Sequence, residues 1–291
     1  MVKSINPKDI SIPELHALLL GSISPRPIAF ASTVDVDGKV NLSPFSFFNV
    51  FSANPPIMIF SPARRVRGNT TKHTLENAMA TKEVVINVVN YNMVQQTSLS
   101  SSEYPQGVNE FIKAGFTEVP SDTVKPPRVK ESPVSFECQV NEIIHLGMEG
   151  GAGNLIICEV KRIHFDTHIL DENGTIDPNK IDTVARMGGS WYCRASGDSI
   201  FKIPKPITSI GIGIDKIPEA IRNSKVLTGN ELGQLGSIEE LPTDNNINQL
   251  TEVLDIISSE TKVEERLHQL AKGYIAKNEI RIAWNVLMAN K

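Results

Sequence analysis

A chain of 291 residues, 40% of them hydrophobic, can bury a substantial core and holds either one large domain or one domain with an appendage; the second organisation is favoured here. A net charge of -4 and a pI near 5.9 give no long-range attraction for nucleic acid or anionic lipid, so neither partner is expected. No apolar run approaches bilayer length, no leader pattern follows Met1, and Cys138, Cys158 and Cys193 are too scattered for a zinc pair or disulfide framework; a cytoplasmic protein with buried reduced thiols and no membrane segment is expected.

The first strong signal is Ile28 to Val36, β-branched and apolar, closed by a hairpin turn at Asp37-Gly38. Ser32 and Thr33 alternate across this strand, so one can face a ligand while the other turns away, and the pair fits plain β-structure as well. The returning strand enters N-L-S-P-F-S-F-F-N, where Pro44 is expected to stop ladder pairing. Asn41, Ser43, Ser46 and Asn49 crowd small polar groups into this turn, and a flat heteroaromatic ligand could dock there. Phe45 or Phe47 would supply its apolar wall, although Phe45, Phe47, Phe48 and Phe51 also read as core aromatics and at least two are expected to be. Arg26, between two prolines, could meet an anion or a carboxylate and is left unassigned.

Pro55-Pro56 introduces a short strand over Ile57 to Phe60, ended by Ser61-Pro62. The chain then turns basic. Arg64, Arg65, Arg67 and Lys72, with Thr70, Thr71 and Thr74, lead into a short amphipathic helix over Lys72 to Thr81 with Leu75, Ala78 and Met79 on one side. An anion fits cations gathered at a helix start, and so does a solvated basic loop with ordinary capping; composition leaves both open. Glu83 to Val89 predicts a buried strand, Asn92 to Ser102 a surface helix, and Tyr104 to Pro133 a proline-punctuated connection. Val134 to Leu146 and Leu155 to Phe165 predict two long strands joined through Gly147, Gly150, Gly151 and Gly153. Asn173-Gly174 marks a turn, and Gly188-Gly189 precedes Trp191 and Tyr192.

Beyond Pro204 and Pro206 the spacing becomes helical, over residues 245–257 and again from Val263 onward. Leu267, Leu270, Ile275, Ile280, Ile282, Trp284 and Leu287 form a stripe best read as core, against the barrel or a second subunit. The chain therefore divides into residues 1–203 and a C-terminal helical extension, 204–291. His164 and His168 lie at a strand end, where their spacing carries no metal-binding meaning, and no metal site is expected. Gly211-Ile212-Gly213 lacks the third glycine of a dinucleotide fingerprint.

Four segments, S-P-R-P-I-A-F-A-S-T-V-D-V-D-G-K-V-N-L-S-P-F-S-F-F-N, P-P-I-M-I-F-S, K-H-T-L-E-N-A-M-A-T-K-E-V-V-I-N-V-V and V-A-R-M-G-G-S-W-Y-C-R, resemble in order and spacing the flavin reductase-like family of FMN-binding split barrels, in particular the nitrilotriacetate monooxygenase component B-like reductases. The resemblance covers roughly the first two-thirds of the chain. It implies a mainly β fold, a Greek-key antiparallel split barrel with peripheral helices, that binds FMN and takes NAD(P)H as a transient co-substrate. Carried onto matching positions, it implies cofactor contacts from Ser32, Thr33, Asn41, Ser43, Pro44, Phe45, Ser46, Asn49, Ser61, Arg64, Lys72 and Thr74, with Lys72 and Thr74 ranked above Arg64 for the phosphate. No catalytic side chain is implied, because hydride passes between nicotinamide and flavin. The family often reads K-D-T where this chain has Lys72-His73-Thr74, so no contact is assigned to His73. A homodimer is implied, with Gly188, Gly189 and Tyr192 reaching a neighbouring site, and a flavin-dependent monooxygenase as the consumer of reduced FMN. The alternative is a non-catalytic FMN electron carrier reduced by a protein partner.

Overall fold

The computed structural model describes residues 1–203, 209–242, 251–259 and 261–289. Backbone proximity divides it into two compact units, Met1–Phe201 and Lys202–Lys291. The first opens with helix α1 (Ile12–Ser22), absent from the sequence expectation, which begins in a capping box between Ser11 and Glu14. Four strands follow: β1 (Ala29–Val34), β2 (Val40–Phe45), β3 (Phe48–Ala53) and β4 (Pro56–Phe60). After α2 (His73–Thr81) come β5 (Glu83–Val88), α3 (Val94–Ser100), α4 (Glu110–Ala114) and the small hairpin β6 (Glu118–Val119) with β7 (Arg128–Val129). The long hairpin β8 (Val134–His145) and β9 (Asn154–Phe165) is followed by α5 (Pro178–Ile181), β10 (Val184–Arg186) and β11 (Tyr192–Arg194).

Seven strands join in the order β2-β1-β5-β8-β9-β4-β3, and every pairing is antiparallel. β2 and β3 stand at opposite ends of that order, yet only Ser46 and Phe47 connect them. A link so short forces the sheet to curl until its two edges meet at this corner, closing it without ladder bonds there. This is a split barrel. Its interior is filled by alternate residues, including Ala29, Ala31, Phe45, Phe60, Val84, Ile86, Ile156 and Cys158, with Leu75 and Ala78 of α2 packed among them. The opposite face of β1 and β2, through Ile28, Phe30 and Leu42, packs on Met93, Phe111 and Ala114, so β1 is buried on both sides.

Pro44 does not stop the ladder, contrary to the sequence expectation: β2 stays in register through Phe45, with Phe30 opposite Pro44. The reason is its place at the sheet edge. Leu42 points its N–H outward to Glu110, and Pro44, two residues on, lacks an N–H on the same outward side, where no neighbouring strand needs one. The helix expected over Asn92 to Ser102 is shorter, and its Thr97 and Ser100 are buried.

The second unit contains α6 (Glu219–Arg222), α7 (Gly229–Leu235), α8 (Thr251–Ser258), α9 (Val263–Ala276) and α10 (Ile280–Leu287). Leu267, Ile275, Trp284 and Leu287 of the expected stripe are buried in a core that also takes in Ile217, Ile221, Leu235 and Val253 of the same unit. Trp284 is fully buried, and its indole N–H donates to the Leu235 carbonyl at 3.1 Å. Pro204, Pro206 and residues 245–250 of the expected first tail helix lie outside the described residues. Among the described residues, no helix is long and apolar enough to cross a membrane.

Candidate functional site

The strand alternation that sends Ala29 and Ala31 into the barrel also sends Thr33, and across the ladder Asn41 and Ser43, toward α2. Asn77 of α2 donates to the Thr33 hydroxyl at 3.1 Å, and Thr74 donates to the Asn41 amide oxygen at 2.7 Å. Asn41 in turn donates through its amide nitrogen to Glu110 at 2.9 Å, and the other Glu110 oxygen accepts from Leu42 N–H at 2.9 Å. Edge strand, helix start and α4 are thus tied through one polar chain. Glu110 is buried, which raises its carboxyl above the ordinary range despite these donors.

A pocket opens beside this chain, walled by Asn41, Ser43, Arg65, Lys72, His73, Thr74, the loop Ser100 to Tyr104, and Glu110. Arg65 donates to the Thr70 hydroxyl at 3.0 Å and through Nε to Glu103 at 2.9 Å. Lys72 occupies the N-cap of α2 but makes no side-chain cap; the Leu75 N–H donates to the Lys72 carbonyl at 2.9 Å, and among the described residues the His73 and Thr74 N–H groups have no hydrogen-bond partner. Its ammonium is half-buried and, among the described residues, has neither a hydrogen bond nor an ion pair. Burial first, and the neighbouring Arg65 second, lower its pKa, against the opposing pull of Glu103. A half-buried cation without an anion, next to a guanidinium and an open helix start, suits a phosphate.

Of the residues implied by the sequence, Asn41, Ser43, Lys72 and Thr74 line this pocket together. Thr33, on β1, does not line it; its hydroxyl accepts from Asn77 of α2. Arg64 is directed elsewhere, holding Asn69 through Nε to Oδ1 and through its terminal nitrogen to the Asn69 carbonyl, each at 2.7 Å, and Arg65 takes the pocket position. Ser32 is on the opposite face of β1, fully buried, and its hydroxyl has no hydrogen-bond partner among the described residues. Phe45 belongs to the barrel interior, its ring 5.6 Å from Phe60, while Phe47 is exposed at the corner beside half-buried Ser46. Half-buried Pro44 lies at the sheet edge; Asn49 is exposed and its side chain accepts from Val50 N–H, and the buried Ser61 hydroxyl accepts from Asn154 N–H at 3.0 Å. Arg26 is buried and clamps the carbonyls of Leu20, Ile23 and Met187, a structural duty.

Sequence reasoning assigned nothing to His73, Ser100 to Tyr104 or Glu110. The departure at His73 drew attention to that position, whereas the serine run and Glu110 carry no local signal. His164, unassigned as a metal ligand, meets the buried Glu137 at 2.7 Å.

An antiparallel split barrel with a cationic pocket between its edge strand and a helix start defines the class of protein. The chain belongs to the flavin reductase family: residues 20–180 match the model of the flavin reductase like domain. Nitrilotriacetate monooxygenase component B from Bacillus cereus is 30% identical, superposes with a TM-score of 0.65, and is covered over 99% of its length by 70% of this chain. A Shewanella frigidimarina protein with a split barrel domain is 28% identical with a TM-score of 0.58, covering 68% of this chain and 95% of that one. An uncharacterized protein of Aquifex aeolicus is 39% identical over 189 residues, 65% of this chain and 94% of the relative. The remainder of this chain lies outside those alignments.

Proposed function

We propose that the protein is an NAD(P)H-dependent FMN reductase whose flavin phosphate is held by Lys72, Arg65 and the first turn of α2. The observation that carries this reading is the Lys72 ammonium, half-buried and, among the described residues, without a hydrogen bond or ion pair, in a pocket that also holds Asn41, Ser43 and Thr74. Asn41 and Ser43 offer amide and hydroxyl groups to the rest of the mononucleotide, and exposed Phe47 offers an apolar face at the barrel corner. Thr33, on β1 beside α2, and Ser46, at the barrel corner, would act from the framework around this pocket. Bound FMN would supply the redox chemistry, accepting hydride from NAD(P)H. The side chains bind and orient; no protein nucleophile is required.

The similarity to nitrilotriacetate monooxygenase component B supports delivery of reduced FMN to a partner monooxygenase in the cytoplasm. Homodimerisation is supported by the edge strand β3, where Val50 is 61% and Phe51 64% exposed, an apolar strand edge that a second copy would cover. The helical unit, 204–291, is read as an appended extension.

The deciding experiment is stopped-flow reduction of FMN-loaded protein by NADH and by NADPH, followed at the flavin absorbance band. Bleaching within the dead time to seconds is expected with one of them. Protein that retains FMN through gel filtration yet is inert to both would be an electron carrier instead. Light scattering should give twice the chain mass.

A further inference from the structure

Two carboxylates stand in a pocket otherwise arranged for an anion, and they differ. Glu110 is buried and committed to Asn41 and Leu42. Glu103 is exposed, with a side-chain accessibility of 68%, and among the described residues the one hydrogen bond and ion pair of its side chain is to Arg65 at 2.9 Å. It hangs from the loop that follows α3, where the neighbouring Ser101 and Ser102 hydroxyls are anchored to the Ser98 and Leu99 carbonyls at 2.6 and 2.9 Å. The loop is therefore fixed while the Glu103 side chain can swing clear. Its charge also reaches Lys72, where it opposes the effect of burial.

We propose that Glu103 is a built-in competitor for the flavin phosphate: its carboxylate satisfies Arg65 in the empty pocket and must be displaced when FMN binds. The inference rests on the flavin reading above and adds how that site sets FMN retention. With the competitor in place, Arg65 is never fully bare, so less free energy is gained when phosphate arrives and FMN exchanges with solution. An exposed ion pair is worth little, and its displacement lowers affinity only severalfold. Repulsion between a carboxylate and a phosphate dianion confined to one pocket adds to that. The outcome is a flavin that is held long enough to be reduced and released readily afterwards.

The test is fluorescence titration of flavin-free protein with FMN and with riboflavin, in the unaltered chain, Glu103→Gln and Lys72→Ala. Glu103→Gln should bind FMN about three- to tenfold more tightly and release it more slowly, with the gain shrinking in high salt. Riboflavin, which lacks the phosphate, should bind both proteins alike. Unchanged or weaker FMN binding in Glu103→Gln, with Lys72→Ala still impaired, overturns the competitor and leaves the flavin reading standing. Equal tightening for riboflavin overturns it too, since the effect would not act through the phosphate. If neither substitution moves FMN affinity, both readings fall together.

Discussion

Lys72→Ala is the sharpest test of the site, because in the flavin-free protein the side chain does so little else. Its ammonium makes no hydrogen bond or ion pair among the described residues, and as the N-cap of α2 it contributes no side-chain cap, so alanine removes only its longer-range attraction to Glu103 and repulsion from Arg65. Burial and Arg65 already disfavour its charge, and the substitution should leave stability unchanged or slightly raised. Binding is another matter. A unit charge at about 4 Å is worth about 4 kcal/mol at an effective dielectric of about 20, and after solvent exchange a hydrogen bond to a charged group retains about 1.5–3 kcal/mol. FMN affinity should therefore fall roughly ten- to hundredfold, with riboflavin affinity barely altered. Fluorescence titration at fixed, moderate salt reads both. An unchanged FMN dissociation constant, in protein whose melting curve matches the parent, would remove Lys72 from the phosphate site and refute the electrostatic argument.

Three further expectations concern stability. Glu137 is pulled in two directions: burial would raise its pKa, but Thr123 Oγ1, the Asp122 and Thr123 N–H groups and His164 together hold it down, from 4.5 to about 2. A depressed carboxylate stabilises the fold above its unfolded value, so up to about 3 kcal/mol should be lost as pH falls from about 4.5 toward 2. Urea unfolding across that range should show it, and Glu137→Gln should flatten the slope; an identical slope would contradict the assignment. In the helical unit, burial lowers the pKa of His268, whose Nδ1 lies 2.7 Å from the Ser224 hydroxyl. Its neutral form is the folded one, so that unit should lose stability as pH drops below 6.5, and a flat profile there would count against it. Trp284→Ala should cost the same unit about 3–5 kcal/mol, read by thermal melting, with a loss under about 1 kcal/mol showing that its core collapses around the hole. Iodide should quench exposed Trp191 and spare Trp284 in the parent protein.

The strands Glu83–Val88, Val134–His145 and Asn154–Phe165, the turn at Gly38 and the helix starting at Lys72 were all legible in the sequence, because each rests on a local rule: side-chain period, β-branching, or a glycine with φ of +82°. The polar turn from Asn41 to Ser46 and the basic stretch before Thr74 were visible in composition, which left their role open until the family resemblance was added. What no local rule contains is position in the sheet. Pro44 sits harmlessly in the ladder only because β2 is an edge, and β3 escaped notice because its exposed, mixed residues belong to the opposite edge. Arg64 and Arg65 are chemically identical neighbours, and only the fold of their loop turns one to Asn69 and the other to the pocket. Glu103 and Glu110 reach that pocket from segments far along the chain, Glu110 on α4, whose Phe111 and Ala114 pack against β1 and β2. The chain's own order of residues thus determined most of the elements and the family, through interactions a few residues long; the make-up of the pocket beside Lys72 was decided by contacts between segments tens of residues apart, which exist only once the barrel has closed.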